Sequence, residues 1–255
     1  MKFRKDAVVA DEPHGKVADM RPPGHPETRP LGGKSGALRA AIFGANDGLV
    51  SNLSLIMGVA GATTNRSVVL LAGIAGLLAG AFSMGAGEFI SMRVQRDVFE
   101  NLIEFERQEL VDMPDEELHE LIQIYKRRGI PDDLARATAE VIHKDPALTL
   151  ETHAREELGL DLNDLGSPWA AAIYSFITFC IGAIIPLAPF LFVAGQPAVA
   201  VAAILSGLTL FGIGGAMTIF TGKNFYIQGL KMLAVGTAAA TITYLVGTLL
   251  HVNVA

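Results

Sequence analysis

Two carboxylate residues lie inside stretches of the sequence that are otherwise apolar. Asp47 falls within residues 38–62 and Glu88 within residues 67–92, and each stretch is long enough to cross the hydrocarbon core of a bilayer. An ionised side chain is costly in hydrocarbon, so such residues usually mark the path of an ion or a proton. Met84 lies one helical turn before Glu88 and offers a thioether, a soft ligand for a transition metal. We therefore interpret Asp47, Met84 and Glu88 as residues of a transport pathway.

A second group of candidate ligands lies in the polar stretch of residues 93–167. Its members form three pairs, each bordering the apolar face of a predicted helix: Glu106 and Glu109, Glu117 and Glu120, His153 and Glu157. Residues three or four apart share one side of a helix, so both members of a pair can face one ion. Oxygen ligands with one imidazole suit Mn²⁺, Fe²⁺ or Zn²⁺, and the spacing does not choose among these metals. The alternative interpretation is a set of solvated glutamates on acidic helices.

The same stretch contains a competing pattern. Glu116-x-x-His119 and Glu140-x-x-His143 have the Glu-x-x-His spacing of ferritin-like di-iron bundles, which would indicate oxidase chemistry. On a helical wheel, however, Glu116 and His143 lie opposite the apolar faces of their helices. We expect both motifs to face solvent.

Five apolar stretches determine the predicted fold class. Hydrophobic residues make up 51% of the chain and the mean hydropathy is +0.40, yet the formal charge is −6, so the charged residues must be concentrated in blocks. We predict an all-α integral membrane protein with two transmembrane helices in residues 38–92, three in residues 168–255, and an acidic cytosolic helical metal-binding insertion at 93–167. The five spans, each near or above the roughly 20 residues that crossing requires, are 38–62, 67–92, 168–194, 197–220 and 229–251.

The insertion is acidic and is divided by proline and glycine. It holds 19 Asp and Glu residues against nine Lys and Arg, a formal charge of −10, which repels nucleic acid and attracts cations. Pro114, Gly129, Pro131, Pro146 and Gly159 stand where helices typically begin or end. They predict a continuation of the second span over 97–111, followed by amphipathic helices at 114–128, 131–144 and 147–158.

Basic residues give the expected orientation. If successive connections alternate across the membrane, 19 of the 20 Lys and Arg residues fall on one side and only Arg66 on the other. The positive-inside rule assigns the richer side to the cytosol, so we expect a cytosolic N-terminus and insertion and an external C-terminus. Residues 1–37, rich in Pro, Gly and charge, are predicted to form a disordered cytosolic arm. The single cysteine, Cys180, excludes a disulfide within the chain.

Four sequence motifs resemble the signature of the vacuolar iron transporter family. They are GANDGLVS at residues 44–51, GAFSMGAGEFIS at 80–91, HAREELG at 153–159 and GAIIPL at 182–187. The resemblance runs from about Arg39 to the C-terminus. It implies five transmembrane helices, a homodimer with its pathway at the subunit interface, and export of Fe²⁺ from the cytosol by proton antiport.

The resemblance also implies which residues hold the metal. Asp47 and Met84 would be the ligands inside the bilayer, and the cytosolic ligands would collect metal before it enters the membrane. The implied cytosolic ligands are Glu106, Glu109, Glu117, Glu120, His153 and Glu157.

Two positions depart from the family pattern. Eukaryotic members have methionine where this chain has His153, and they carry a glutamate that aligns with Gly76, so the proton-coupling role would pass to Glu88. The Gly-Glu-Phe-x-Ser form of the second motif is similar to the bacterial branch, which favours a plasma membrane over a vacuole. We therefore expect a metal exporter whose favoured metal is Fe²⁺, followed by Mn²⁺. We expect the protein not to be an enzyme and to need no cofactor. The alternative is a membrane-anchored ferroxidase or iron-binding protein.

Overall fold

The computed structural model describes residues 34–250, and every regular element in that range is a helix. The predicted arm lies outside the described residues except for 34–37, which form the first turn of the first helix rather than part of an arm. In chain order the helices are α1 Lys34–Ala62, α2 Arg66–Asp112, α3 Pro114–Arg127, α4 Asp132–Ile142, α5 Pro146–Glu156, α6 Pro168–Phe192, α7 Gln196–Ala216, α8 Thr218–Thr221 and α9 Phe225–Leu250.

Five of these helices are long and apolar enough to cross a membrane: α1, α2, α6, α7 and α9. The predicted all-α class, with five helices that could span a membrane, is therefore confirmed for the described part of the chain. The fourth span is predicted over residues 197–220, but α7 ends at Ala216 and the short α8 follows it. Helix α2 has 47 residues, or about 70 Å at 1.5 Å per residue, so it extends well beyond the thickness of a bilayer.

Helix α1 lies at the centre of the bundle and contacts α2, α6, α7 and α9. Its most extensive contact is with α6, where glycines on both helices bring the two backbones together. A Cβ atom on Gly48 would collide with the carbonyl of Phe179, and one on Gly182 would collide with the carbonyl of Ala45. The largest buried cluster of the bundle packs around Leu49, Leu53, Ile56, Met57, Leu187, Phe190 and Leu210.

The helices between α2 and α6 have a small core of their own. Leu121 and Ile122 of α3 pack against Ala135 and Ala139 of α4. Asp145 caps α5 by accepting hydrogen bonds from the backbone N–H groups of residues 147 and 148, at 3.0 and 3.3 Å. The observed bounds of α3, α4 and α5 lie within two residues of the predicted helices.

Candidate metal centre

One imidazole and three carboxylates meet where α2, α3 and α5 come together. His153 Nδ1 lies 3.0 Å from Glu106 Oε1, 3.5 Å from Glu117 Oε2 and 3.9 Å from Glu157 Oε2. The ligand atoms of all four residues lie within 4.8 Å of one another. The side chain of His153 is fully buried, those of Glu106 and Glu117 are 3% and 7% exposed, and that of Glu157 is 25% exposed. The group is therefore a largely buried site with one ligand at its edge.

The positions of the four ligands follow from local sequence. Glu106 lies one turn after the buried Ile103 on the part of α2 that extends past the predicted membrane span. Helix α2 ends at Asp112, and Pro114 starts α3, so Glu117 falls in the acidic first turn of a new helix. His153 lies in the last turn of α5, where the helix dipole favours a cation. A helix N-terminus and a helix C-terminus thus face the same group.

Burial and repulsion both act on the carboxylates. Burial, and after it the neighbouring carboxylate of Glu106, together raise the pKa of Glu117 to about 7. Burial alone would lower the pKa of His153, but the carboxylates of Glu106 and Glu157 outweigh it and raise the pKa to about 9. Without a metal, the group therefore holds protons near neutral pH that a divalent ion would displace.

Buried polar atoms of the group lack hydrogen-bonding partners among the described residues. They include Glu117 Oε2 and His153 Nε2. Leaving such atoms unsatisfied costs free energy, about 1–3 kcal/mol each and more for charged groups. Carboxylate oxygens with one imidazole are the donor set that divalent metals such as Mn²⁺, Fe²⁺ and Zn²⁺ accept. The four residues therefore form a candidate site for a divalent metal.

Glu109 and Glu120, the other two predicted ligands, lie next to this group but are not members of it. Both are half-buried, and both are close enough to Glu117 to raise the pKa of its carboxyl. Glu120 and Glu157 line a cavity of about 440 Å³ between α3 and α5. The structure thus brings together one member each of the first two predicted pairs and both members of the third.

The two Glu-x-x-His motifs do not come together with the buried group. Glu116, His119 and Glu140 are exposed on α3 and α4. Among the described residues, the one hydrogen-bonding partner of the His119 ring is Gln123, whose Nε2 atom lies 3.3 Å from His119 Nε2. The expectation that these motifs face solvent agrees with the structure, except that His143 is half-buried.

Asp47 and Met84 line a second candidate site inside the helical bundle. The cavity measures about 300 Å³ and lies between α1, α2 and α6, with Ser51, Asn52, Gly76 and Ser83 also on its wall. Ser51 and Ser83 are exposed, so the cavity opens on the surface of the single chain. The structure therefore places the predicted carboxylate and thioether on one cavity.

Glu88 is not on the wall of that cavity. Its Oε2 atom lies 4.0 Å from the guanidinium of Arg39 near the first turns of α1, with side chains 17% and 68% exposed. The same oxygen is buried and makes no hydrogen bond within the described residues. The three residues predicted to form one pathway are thus divided between a cavity and an ion pair one turn away.

Sequence reasoning passed over one buried and one half-buried polar residue. Asn52 lines the bundle cavity, and its signal in the sequence was an amide within an apolar span. Glu156, whose side chain is 16% exposed, pairs with Arg128 beside the metal-ligand candidates. Its signal was weaker, because one more glutamate in an acidic helix does not stand out.

Comparisons with known proteins agree with the resemblance in the motifs. The sequence profile of the VIT family matches residues 38–248. A protein named vacuolar iron transporter from Acanthamoeba castellanii is 35% identical over 220 residues, which cover 85% of this chain and 80% of that protein. A protein of the same name from Toxoplasma gondii is 32% identical over 227 residues, which cover 85% of this chain and 75% of that protein. Vacuolar iron transporter 1 of Arabidopsis thaliana is 29% identical over 208 residues, which cover 81% of this chain and 83% of that protein.

Proposed function

The chain belongs to the VIT family. We propose that it is a metal transporter that exports Fe²⁺ from the cytosol, with Mn²⁺ as its second preference. The observation that carries this proposal is the position of two candidate metal sites on one continuous helix. Glu106 and Met84 are both on α2, 22 residues or about 33 Å apart along its axis. A metal collected by the buried group between α2, α3 and α5 would enter the bilayer at the cavity that holds Asp47 and Met84.

The proposed direction depends on the distribution of charge. The positive-inside rule supports a cytosolic insertion, whose formal charge of −10 concentrates cations at the proposed entrance. The prediction is that a topology reporter at Tyr125 is accessible from the cytosol, whereas one at Arg66 is accessible only from the other side. Accessibility of both positions from one side would contradict this orientation.

Proton antiport and a homodimer complete the proposal. Asp47 and Glu88 are carboxylates within the first two spans, and each can carry a proton in the direction opposite to the metal. The bundle cavity opens toward the exposed Ser51 and Ser83, and a second copy of the chain packed there would close it. Chemical crosslinking of the purified protein in detergent, combined with its measured mass, tests the dimer.

Metal flux into sealed vesicles tests the transport function. Purified full-length protein in proteoliposomes is expected to move Fe²⁺ under anaerobic conditions, and Mn²⁺, at a rate that depends on an imposed pH gradient. Protein-free vesicles measure the leak. An oxidase or a metal buffer binds metal without moving it across the bilayer, so binding with no flux above the leak would contradict transport. The exposed positions of Glu116, His119 and Glu140 give no support to a di-iron oxidase.

A further inference from the structure

Asn52 is a buried amide whose oxygen has no partner among the described residues. Its side chain is 2% exposed, and Oδ1 makes no hydrogen bond in the described part of the chain. Asn52 lies on α1 about one and a half turns beyond Asp47, and both residues line the bundle cavity. An unsatisfied carbonyl oxygen in such a place costs free energy unless a ligand completes it.

A hydrogen bond on its other atom fixes which way the amide faces. Asn52 Nδ2 donates to the carbonyl oxygen of Ala183 on α6 at 2.7 Å. Reversing the amide would set two oxygens against each other, so the nitrogen faces α6 and the oxygen faces away from it. A Cβ atom built on Gly76 of α2 would lie 3.1 Å from Oδ1, which locates the oxygen on the side of the cavity that α2 forms.

We propose that Asn52 Oδ1 is a metal ligand inside the bundle, acting after Asp47 on the path across the membrane. The inference rests on the proposed transport function. An amide oxygen is a neutral, hard donor, which suits Fe²⁺ and Mn²⁺ and replaces one of their waters without adding charge. A neutral ligand following the Asp47 carboxylate holds the ion less tightly, so the ion can move on.

Gly76 makes this contact possible. It has no side chain between α2 and Asn52, and a methyl group at this position would press on Oδ1 and on the end of the Leu55 side chain. Leu55 Cδ2 is the free end of a flexible side chain and can move aside, whereas Oδ1 is held through the Nδ2 bond to α6. Gly76→Ala therefore obstructs the oxygen while leaving the hydrogen bond of Asn52 intact.

Flux in proteoliposomes, measured for Fe²⁺, Mn²⁺ and Zn²⁺ with the full-length chain, tests the role of the oxygen. Asn52→Leu removes the oxygen and the donor, and Mn²⁺ flux is expected to fall at least tenfold. Asn52→Asp keeps an oxygen but removes the donor; flux is expected to stay within about threefold, with an altered order of preference among the three metals. Gly76→Ala is expected to raise the KM for Mn²⁺ at least fivefold at an unchanged thermal unfolding temperature.

Ser54→Ala is the matched control. Ser54 is also a polar residue of α1 with a buried oxygen and no hydrogen bond among the described residues, but it does not line the cavity. Its removal is expected to leave flux and metal preference unchanged.

Three outcomes would overturn the inference. Wild-type Mn²⁺ flux in Asn52→Leu together with a wild-type KM in Gly76→Ala would show that the metal does not meet this oxygen. Equal losses in Asn52→Leu and Asn52→Asp, with no change in metal preference, would assign Asn52 to the hydrogen bond with Ala183 alone. If wild-type protein moves no metal, the proposed function fails and this inference fails with it, whereas wild-type flux with either of the first two results removes the inference alone.

Discussion

The two candidate metal sites differ most in their charge. The group between α2, α3 and α5 places three carboxylates and an imidazole within 4.8 Å of one another. The bundle cavity offers one carboxylate, from Asp47, with the thioether of Met84 and the amide of Asn52. A dense group of anionic ligands binds a divalent ion tightly, whereas a site with one charge and neutral donors binds it weakly enough to release it. Under the proposed function, the first site captures the metal and is called the capture site below, and the second passes the metal on.

The surroundings of the two sites support the same division. Glu157 is partly exposed at the edge of the first group and also lines the cavity of about 440 Å³ beside it, so the group is reachable from water. In the bundle, α1 and α6 are packed backbone to backbone through Gly48 and Gly182. A site bounded by such rigid contacts has little freedom to close around an ion.

The largest expected effect comes from removing the single charge of the cavity. Asp47→Asn keeps the size of the side chain but removes the charge that offsets desolvation of a divalent ion, a loss of about 3 kcal/mol or more. Flux in proteoliposomes should fall at least about a hundredfold, while metal binding by the α2, α3 and α5 group stays at the wild-type level.

Asp97→Asn is the control for Asp47→Asn, because Asp97 is a half-exposed carboxylate that pairs with Arg93 at 3.1 Å, away from both sites. It should change neither flux nor binding. Wild-type flux from Asp47→Asn would remove this residue from the path, and lost binding in the same variant would show that the two sites are not separate.

The next effect concerns binding at the capture site. His153→Ala removes the fully buried imidazole and should weaken Mn²⁺ or Fe²⁺ binding about tenfold to a hundredfold. Because the carboxylates still attract the ion, the flux at saturating metal should change little while KM rises. Isothermal titration of the purified protein and the concentration dependence of flux measure the two quantities.

His119→Ala is the matched control, since that ring is exposed on α3. It should leave metal binding unchanged. If His119→Ala abolished binding and His153→Ala did not, the Glu-x-x-His motif would be the metal site.

The third prediction is that a change of pH has opposite effects on two properties of the capture site: its affinity for metal and its contribution to the stability of the metal-free protein. With the pKa of His153 near 9 and that of Glu117 near 7, an incoming ion displaces one proton between those values and two below pH 7. Apparent affinity should therefore fall by about tenfold per pH unit from 9 to 7 and up to about a hundredfold per unit below 7.

Metal-free stability should change with pH in the opposite direction. The raised pKa of His153 contributes stability that is complete below its ordinary value of 6.5 and is lost as pH rises through about 9. The raised pKa of Glu117 likewise makes the folded state less stable as pH rises from 4.5 to about 7. Thermal unfolding with and without Mn²⁺ across pH 5–9 should show metal-free stability falling as pH rises and metal-induced stabilisation growing. A metal-induced shift independent of pH would contradict the ligand assignment.

The smallest effect is expected at the ion pair beside the cavity. Glu88→Gln removes an interaction with the largely exposed Arg39 that is worth about 1 kcal/mol or less. Flux should therefore change by no more than about fivefold, and a changed pH dependence would indicate that Glu88 carries the returning proton. A loss as large as that from Asp47→Asn would make Glu88 a ligand in the path and extend the second site by one helical turn.

The fold was largely predictable from local pattern. Apolar stretches of membrane-spanning length and the prolines at 114 and 146 gave five spans and the three short helices, because both signals depend only on neighbouring residues. The first helix begins at Lys34 rather than Leu38, since the first turn of a helix that leaves the membrane need not be apolar.

For the candidate metal site, the sequence predicted which ligand residues pair on a single helix, but not which residues of different helices meet. Helical spacing identified Glu106 with Glu109 and Glu117 with Glu120, since three residues on a helix return to nearly the same side. It did not show that Glu106 and Glu117 would face His153 while their partners lie beside them. That selection depends on how α2, α3 and α5 pack.

The sequence by itself determined the class of protein and the supply of ligands, because membrane length, charge blocks and helical periodicity are properties of the chain alone. Tertiary structure decided which ligands meet. It joined Asp47 to Met84 on one cavity, left Glu88 beside Arg39, and turned the oxygen of Asn52 away from α6. These outcomes follow from close contacts between helices far apart in sequence, such as the hydrogen bond between residues 52 and 183, and no local pattern encodes them.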